Sequence, residues 1–310
     1  MSATVFHPGE REAQARAGVA APHAAIRDWM PDQHRDFFRL LPFVPLAVPD
    51  PDGAPAATIL TGPPGFIGSP DAKTLRIDAA PDPKDRVAPL LREGAAIGLL
   101  GIDLGTRRRN RANGIIRAVA ADALTVSVNQ SFGNCPQYIQ TRSWQSAPAQ
   151  LGQPEHLSRL NEAARTLIRT SDTFFVATAS GPAAGAQGGM DISHRGGRPG
   201  FVAVRDNTLL IPDFRGNRYF NTLGNLLLDP RTALLFVDWG SGALLHVQGR
   251  VEILWNDTGG FQGAERLWRV SVTSAWYRGR ALPLRWSFQS CAPQTQNTGS
   301  WSEAPPHTGV

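Results

Sequence analysis

The chain repeats itself. Gly62-Pro63-Pro64-Gly65-Phe66 returns as Gly197-Arg198-Pro199-Gly200-Phe201, and Gly98-Leu99-Leu100-Gly101-Ile102-Asp103 returns as Ala233-Leu234-Leu235-Phe236-Val237-Asp238. Leu75 returns as Leu210 and Gly114 as Gly249, all on one register 135 residues apart, as from Gly62 to Gly197. Solenoid arrays repeat every 20–50 residues or so, and a period this long marks a doubled domain instead. The order of features inside each copy also agrees: a Pro-Gly-Phe strand, a second strand, a helical stretch, an apolar strand and a Gly-marked strand. The expected fold is mainly β with small helices, in two tandem barrels built from short antiparallel strands.

The rest of the chain is apportioned around those copies. Residues 1–41 read as a helical arm, with helices over 10–19 and 32–41. Residues 42–144 form the first unit, 145–156 a Ser/Ala/Pro/Gln/Gly linker, and 157–288 the second unit. Residues 85–92 read as a short helix and 260–278 as a mixture of helix and strand. The polar, Pro-containing tail, 289–310, is expected to be disordered.

Composition removes several classes. No run of 18 or more apolar residues occurs, so no membrane helix is expected, and the first residues lack the apolar stretch of a signal peptide. Cys135 and Cys291 are the only cysteines and lie in unrelated contexts, which excludes a disulfide framework and points to the cytoplasm. No ligand spacing suggests a metal, and no Gly-x-Gly-x-x-Gly follows a strand. The net charge of +5 is carried almost wholly by arginine, since Lys73 and Lys84 are the only lysines. A guanidinium fork suits phosphate oxygens, and without aromatic interleaving the pattern does not suggest nucleic acid.

The two copies differ in chemistry. The second carries Asp191, Ser193, His194, Arg195, Gly196 and Gly197, then Asp213, Arg215, Gly216, Asn217, Arg218, Asn221 and Asn225. At the matching register the first has Ala56, Thr58, Ile59, Leu60, Thr61 and Gly62. Ser193, Arg195 and the Gly196-Gly197 backbone offer phosphate donors within one turn. Asn217, Arg218 and Asn221 add more around a helix N-terminus, where free N–H groups favour an anion. Gly216 is expected to let the chain turn sharply into that helix. His194 is a candidate general acid/base or cofactor contact, although a surface histidine is the plainer reading. Trp239 either stacks on a planar cofactor or packs in an interface. The basic run from Arg107 through Arg108 and Arg109 to Arg111 either reaches a phosphate across a seam between the copies or forms a solvated hairpin tip. Cys135 reads as a structural thiol.

The string 191–202, then Leu210-Ile211-Pro212-Asp213, Gly216-Asn217-Arg218, Asn225, Asp229-Pro230, Leu234-Leu235-Phe236 and Val247-Gln248-Gly249-Arg250-Val251, resembles the pyridoxamine 5′-phosphate oxidase-like, FMN-binding split-barrel family. Residues 131–140 look like a string found in a subset that includes N-terminal modules of larger flavoprotein reductases. The resemblance implies FMN at a seam between two split barrels, with haem or a deazaflavin as alternative cofactors. It implies a flavin-dependent oxidoreductase or, alternatively, a non-catalytic flavin or haem carrier working with a separate reductase. The vitamin-synthesising oxidases' substrate-phosphate residues have no counterpart here. The seam would lie within a monomer of pseudo-dimeric barrels or between the chains of a homodimer.

Overall fold

The computed structural model describes residues 5–20, 22–148 and 152–303. Two helices open the chain, α1 (Pro8–Arg16) and α2 (Asp32–Arg39). The first unit comprises β1 (Phe43–Pro49), β2 (Pro55–Thr61), β3 (Ile67–Asp71), β4 (Thr74–Ile77), β5 (Ala96–Asp103), β6 (Arg108–Val119) and β7 (Leu124–Gly133). Strands β8 (Thr141–Ser146) and β9 (Pro154–Leu157) lead to α3 (Glu162–Thr170). The second unit comprises β10 (Thr173–Ala179), β11 (Met190–Gly196), β12 (Ala203–Arg205), β13 (Thr208–Phe214), α4 (Asn221–Leu228), β14 (Arg231–Asp238), β15 (Ala243–Leu254) and β16 (Ala264–Arg278). Finally, β17 (Leu284–Ser290) returns to pair with β8.

The first sheet runs β2-β1-β5-β6-β7-β4-β3 and the second β11-β10-β14-β15-β16-β13-β12, the same path with each strand replaced by its counterpart. The sheets curl without closing, so the architecture is mainly β, as two split barrels. Matching hydrogen bonds explain why particular residues recur. Gly62 N–H donates to Pro42 O and Gly197 N–H to Asp172 O; Gly65 N–H donates to Arg39 O and Gly200 N–H to Arg169 O. Gly65 (φ +100°) and Gly200 (φ +86°) both occupy the left-handed region that side chains disfavour. β6 and β15 each carry a bulge, at Asn113/Gly114 and Gln248/Gly249, where a Cβ on the glycine would press into a facing backbone carbonyl. One expected pair is out by a residue. Leu75 faces Val126, whose counterpart Val270 faces Leu209, so Leu209 rather than Leu210 is the equivalent core residue.

Each barrel has its own core, around Leu46, Leu99 and Ile116 in the first and Val176, Leu234 and Trp268 in the second. A third core joins them: Phe43, Ile59, Leu100 and Ile102 meet Phe175, Ile192, Leu235 and Val237. β1 and β10 are therefore buried on both faces, which is why they read as nearly unbroken apolar runs. The contacts between units come in mirrored pairs, β11 on β5 and β6, β2 on β14 and β15. That is the pattern of an isologous two-fold interface, formed here within one chain.

Four expectations on elements need correction. Residues 85–92 hold only a 3₁₀ turn, Ala88–Leu90, because Pro89 supplies no N–H to continue a helix. Residues 264–278 are one long strand paired on both sides, not partly helix. The linker contains the end of β8 and most of β9, which pairs with β16; residues 149–151 lie outside the described part. The tail over 289–303 is packed: Trp301 Nε1 donates to Phe201 O at 2.9 Å, and Ala292 N–H donates to the Gln140 side chain at 2.8 Å. Residues 304–310 lie outside the described part. No helix among the described residues is long and apolar enough to cross a membrane.

Candidate functional site

β11 is an edge strand of the second sheet, and strand alternation puts Asp191, Ser193 and Arg195 on one face, Ile192 and His194 on the other. Facing this edge is β6 of the first unit. In β6, Arg109 and Arg111 pair with Ile102 and Leu100, which belong to the core between the barrels, so both arginines point toward the second unit. Between β11, β6 and the turn from β13 to α4 lies a cavity of about 90 Å³. Its lining includes Arg109, Arg111, Asn134, Ser193, His194, Arg195, Asn217, Arg218, Asn221, Thr222 and Arg266. Across Arg109, His194 and Arg195 it adjoins a second cavity of about 50 Å³, lined also by Gln137, Tyr138, Gly196 and Phe201.

Five guanidiniums converge here against the carboxylates of Asp213 and Glu265. Asp213 accepts from Arg195 Nη1 at 2.8 Å and from Arg266 Nη1 at 2.5 Å. Asp191 sits behind the cavity wall as an anchor. It accepts from Arg111 Nη1 (2.9 Å), Asn113 Nδ2 (2.7 Å) and Asn225 Nδ2 (2.8 Å), and so holds Arg111 against the Ser193 hydroxyl. Donors are nevertheless in excess. Nε of Arg111, Arg195 and Arg266, Nδ2 of Asn134 and Nε2 of His194 are buried with no acceptor among the described residues. A buried unpaired donor costs about 1–3 kcal/mol, more when charged, so this arrangement favours an anion with several acceptor oxygens. Burial, with the Arg111 and Arg195 charges beside it, lowers Arg109 to about 10, so it stays charged at neutral pH. Burial first, then Arg109, Arg142 and Arg195, hold His194 well below its ordinary value, and the ring is neutral at pH 7.

The approach to α4 is strained. Arg218 and Phe220 both have φ of +62°, each a cost of roughly 1–3 kcal/mol, and no side chain caps the helix. Gly216 was expected to make this turn, but its φ is not in the left-handed region and a Cβ there would meet nothing. The uncapped N–H groups add donors to the same side of the cavity. The N-terminal arm closes the back of the site. Glu10 of α1 accepts from Asn221 Nδ2, and His7 Nε2 lies 2.9 Å from Asn225 Oδ1.

Of the residues singled out from sequence, Ser193, His194, Arg195, Asn217, Arg218, Asn221 and Arg109 gather at the main cavity and Gly196 at its neighbour. Four do not. Gly197 donates its N–H to Asp172 and packs against Phe201. Trp239 is in the core between barrels, edge-on to Trp286 at 5.0 Å. Arg107 turns back to Ile139 O (2.9 Å) and Ser290 Oγ (2.8 Å). Arg108 lies exposed over Phe37, because its strand position faces α2 rather than the second unit. Cys135 contributes its backbone oxygen, which accepts from Arg109 Nε at 2.6 Å. Sequence reasoning missed Arg266, although a signal was there. Trp268 and Val270 alternate inward along β16, and Arg266 is a charge at the next inward position.

Residues 160–290 match the family model described as pyridoxamine 5′-phosphate oxidase. No curated protein matches the chain. Among solved structures, a variant of HupZ from Group A Streptococcus aligns over 38% of this chain and 98% of its own, at 14% identity and a TM-score of 0.29. An FAD-binding protein from Mesorhizobium loti aligns over 41% of this chain and 97% of its own, at 16% identity and a TM-score of 0.28.

Proposed function

We propose that this chain, whose residues 160–290 belong to the pyridoxamine 5′-phosphate oxidase-like split-barrel family, binds a flavin nucleotide, FMN foremost, by its phosphate in the cavity between the barrels. The observation that carries this reading is the set of buried guanidinium and amide donors, contributed by both units, that have no acceptor among the described residues. Size supports the same division of the ligand. About 90 Å³ suits a phosphate or a few waters but not a tricyclic ring, which would lie toward Tyr138 and Gly196 with side-chain movement. Ser193, Arg195, Arg109, Arg111 and Arg218 would hold the phosphate, and Asp191 and Asp213 would orient the arginines. The isoalloxazine supplies the redox chemistry when bound; this chain's residues bind, orient and exclude water. On this reading the protein is a flavin-dependent oxidoreductase of the cytoplasm, a monomer whose tandem repeat supplies both sides of the seam.

The neutral, enclosed His194 favours a second reading. With the cavity's imidazole held neutral by burial and the surrounding guanidiniums, the chain would be a flavin carrier served by a separate reductase. Haem fits less well, because neither cavity admits a porphyrin without wide opening. The visible spectrum of the purified protein tests the reading. Flavin bands, with FMN released on denaturation, are expected. Colourless protein that takes up no added FMN would remove the proposal, and a dominant Soret band would replace it with haem.

A further inference from the structure

We infer that the chain binds one ligand per molecule, although its two-fold arrangement presents the seam twice, because its own carboxylates hold the second position. This deepens the reading of the first cavity as an anion site and rests on it. The second position can be located residue by residue. The shared hydrogen bonds of Gly62 and Gly197 equate β2 with β11, so Thr58, Ile59 and Leu60 stand where Ser193, His194 and Arg195 do. The shared bulge at Gly114 and Gly249 equates β6 with β15, so Leu244 and His246 stand where Arg109 and Arg111 do. It also equates Val128 with Val272, and so Asn134 with Arg278. A cavity is found at that position, lined by Ile59, Leu60, Asp82, Asp85, Leu244 and Arg278.

Its chemistry is reversed. Thr58 keeps the hydroxyl of Ser193 but donates it to Asp85 Oδ2 at 2.5 Å, and Asp85 Oδ1 accepts from Val87 N–H at 2.8 Å. Arg278, the one cation lining the cavity, is 2.9 Å from Asp82 Oδ2. Leu60 and Leu244 stand where Arg195 and Arg109 do and offer no donor. His246, in place of Arg111, is buried, held below its ordinary pKa chiefly by that burial, and lies 2.9 Å from Ala57 O. Space is not what excludes a ligand, since this cavity is larger, about 240 Å³ against about 90 Å³. Charge excludes it: a phosphate would meet the carboxylates of Asp82 and Asp85 against a single cation, Arg278, that is already ion-paired to Asp82. The first unit has thus given up its own site and serves the second unit's.

Calorimetric titration of the full chain with FMN tests this. One equivalent per chain is expected, and Arg195→Ala should weaken that single event at least tenfold and leave no other. Arg218→Ala serves the same purpose if Arg195→Ala fails to fold. Two equivalents in the wild-type chain would overturn the inference while leaving the first site's reading in place, and a single event of unchanged affinity in both variants would remove that reading and the inference with it. No binding by the wild-type chain would remove both.

Discussion

At the residue scale, the direction in which a side chain leaves its strand decides whether it reaches the seam. Arg108 and Arg109 are adjacent, yet one lies over Phe37 and the other reaches His194 in the other barrel. If the seam binds phosphate, Arg109→Ala or Arg111→Ala removes a charge-assisted bond worth roughly 1.5–3 kcal/mol, and FMN affinity should fall about ten- to a hundredfold. Arg107→Ala and Arg108→Ala should stay within about twofold, as surface changes do. Fluorescence titration of the four variants reads this directly, and equal losses in all four would mean that the run acts only through its net charge. The run's basic character was legible in the sequence, but its division was not, because it depends on where the turn ends and β6 begins. A second residue-scale expectation concerns Glu10. Burial, then the Asp191 charge, raises its carboxyl from 4.5 to about 8. A carboxyl raised on folding stabilises fully below its unfolded value, and that contribution is lost as pH rises through the folded one. The melting temperature should therefore gain on Glu10→Gln as pH rises from about 4.5 to about 8, with the difference constant above that; a pH-independent difference would show that Glu10 is not held protonated.

At the element scale, α1 is held on α4 by two small residues back to back. A Cβ on Gly9 would collide with the Gly224 carbonyl, and one on Gly224 with the Glu10 backbone. Either Gly→Ala change should destabilise by about 1–3 kcal/mol, as overpacking does, and should loosen the arm that carries Glu10. Thermal unfolding would show the loss; an unchanged melting temperature would mean that α1 does not dock in solution as described. Apolar strands such as β1, β5, β10 and β14 were legible because burial on one or both faces leaves alternation or apolar runs, whereas the polar β11 reads as a turn and β16 as partly helix. The helix expected at 85–92 was not recoverable, since Asp85 and Pro89 each belong to a turn whose purpose is tertiary. Nor was the packed tail, where a single Trp301 side chain, its N–H given to Phe201 and its ring 4.9 Å from Phe261, outweighs a polar composition.

At the scale of the whole molecule, the doubled sequence and the doubled strand path meet in one apolar core between the barrels, and the seam beside that core carries the excess of donors. Polar divergence between the copies was visible in the sequence, as was the basic run of the first copy as a candidate for the seam; that Arg109 and Arg111, and not Arg107 and Arg108, line the cavity became visible only through the register of β5 on β6. The central claim is that this seam grips a flavin by its phosphate. Titrating the ligand-free chain with FMN and, in parallel, with riboflavin isolates that phosphate while keeping the ring. FMN should bind about a hundredfold more tightly, as several charge-assisted bonds require. Equal affinity for the two, or none for FMN, would contradict the account.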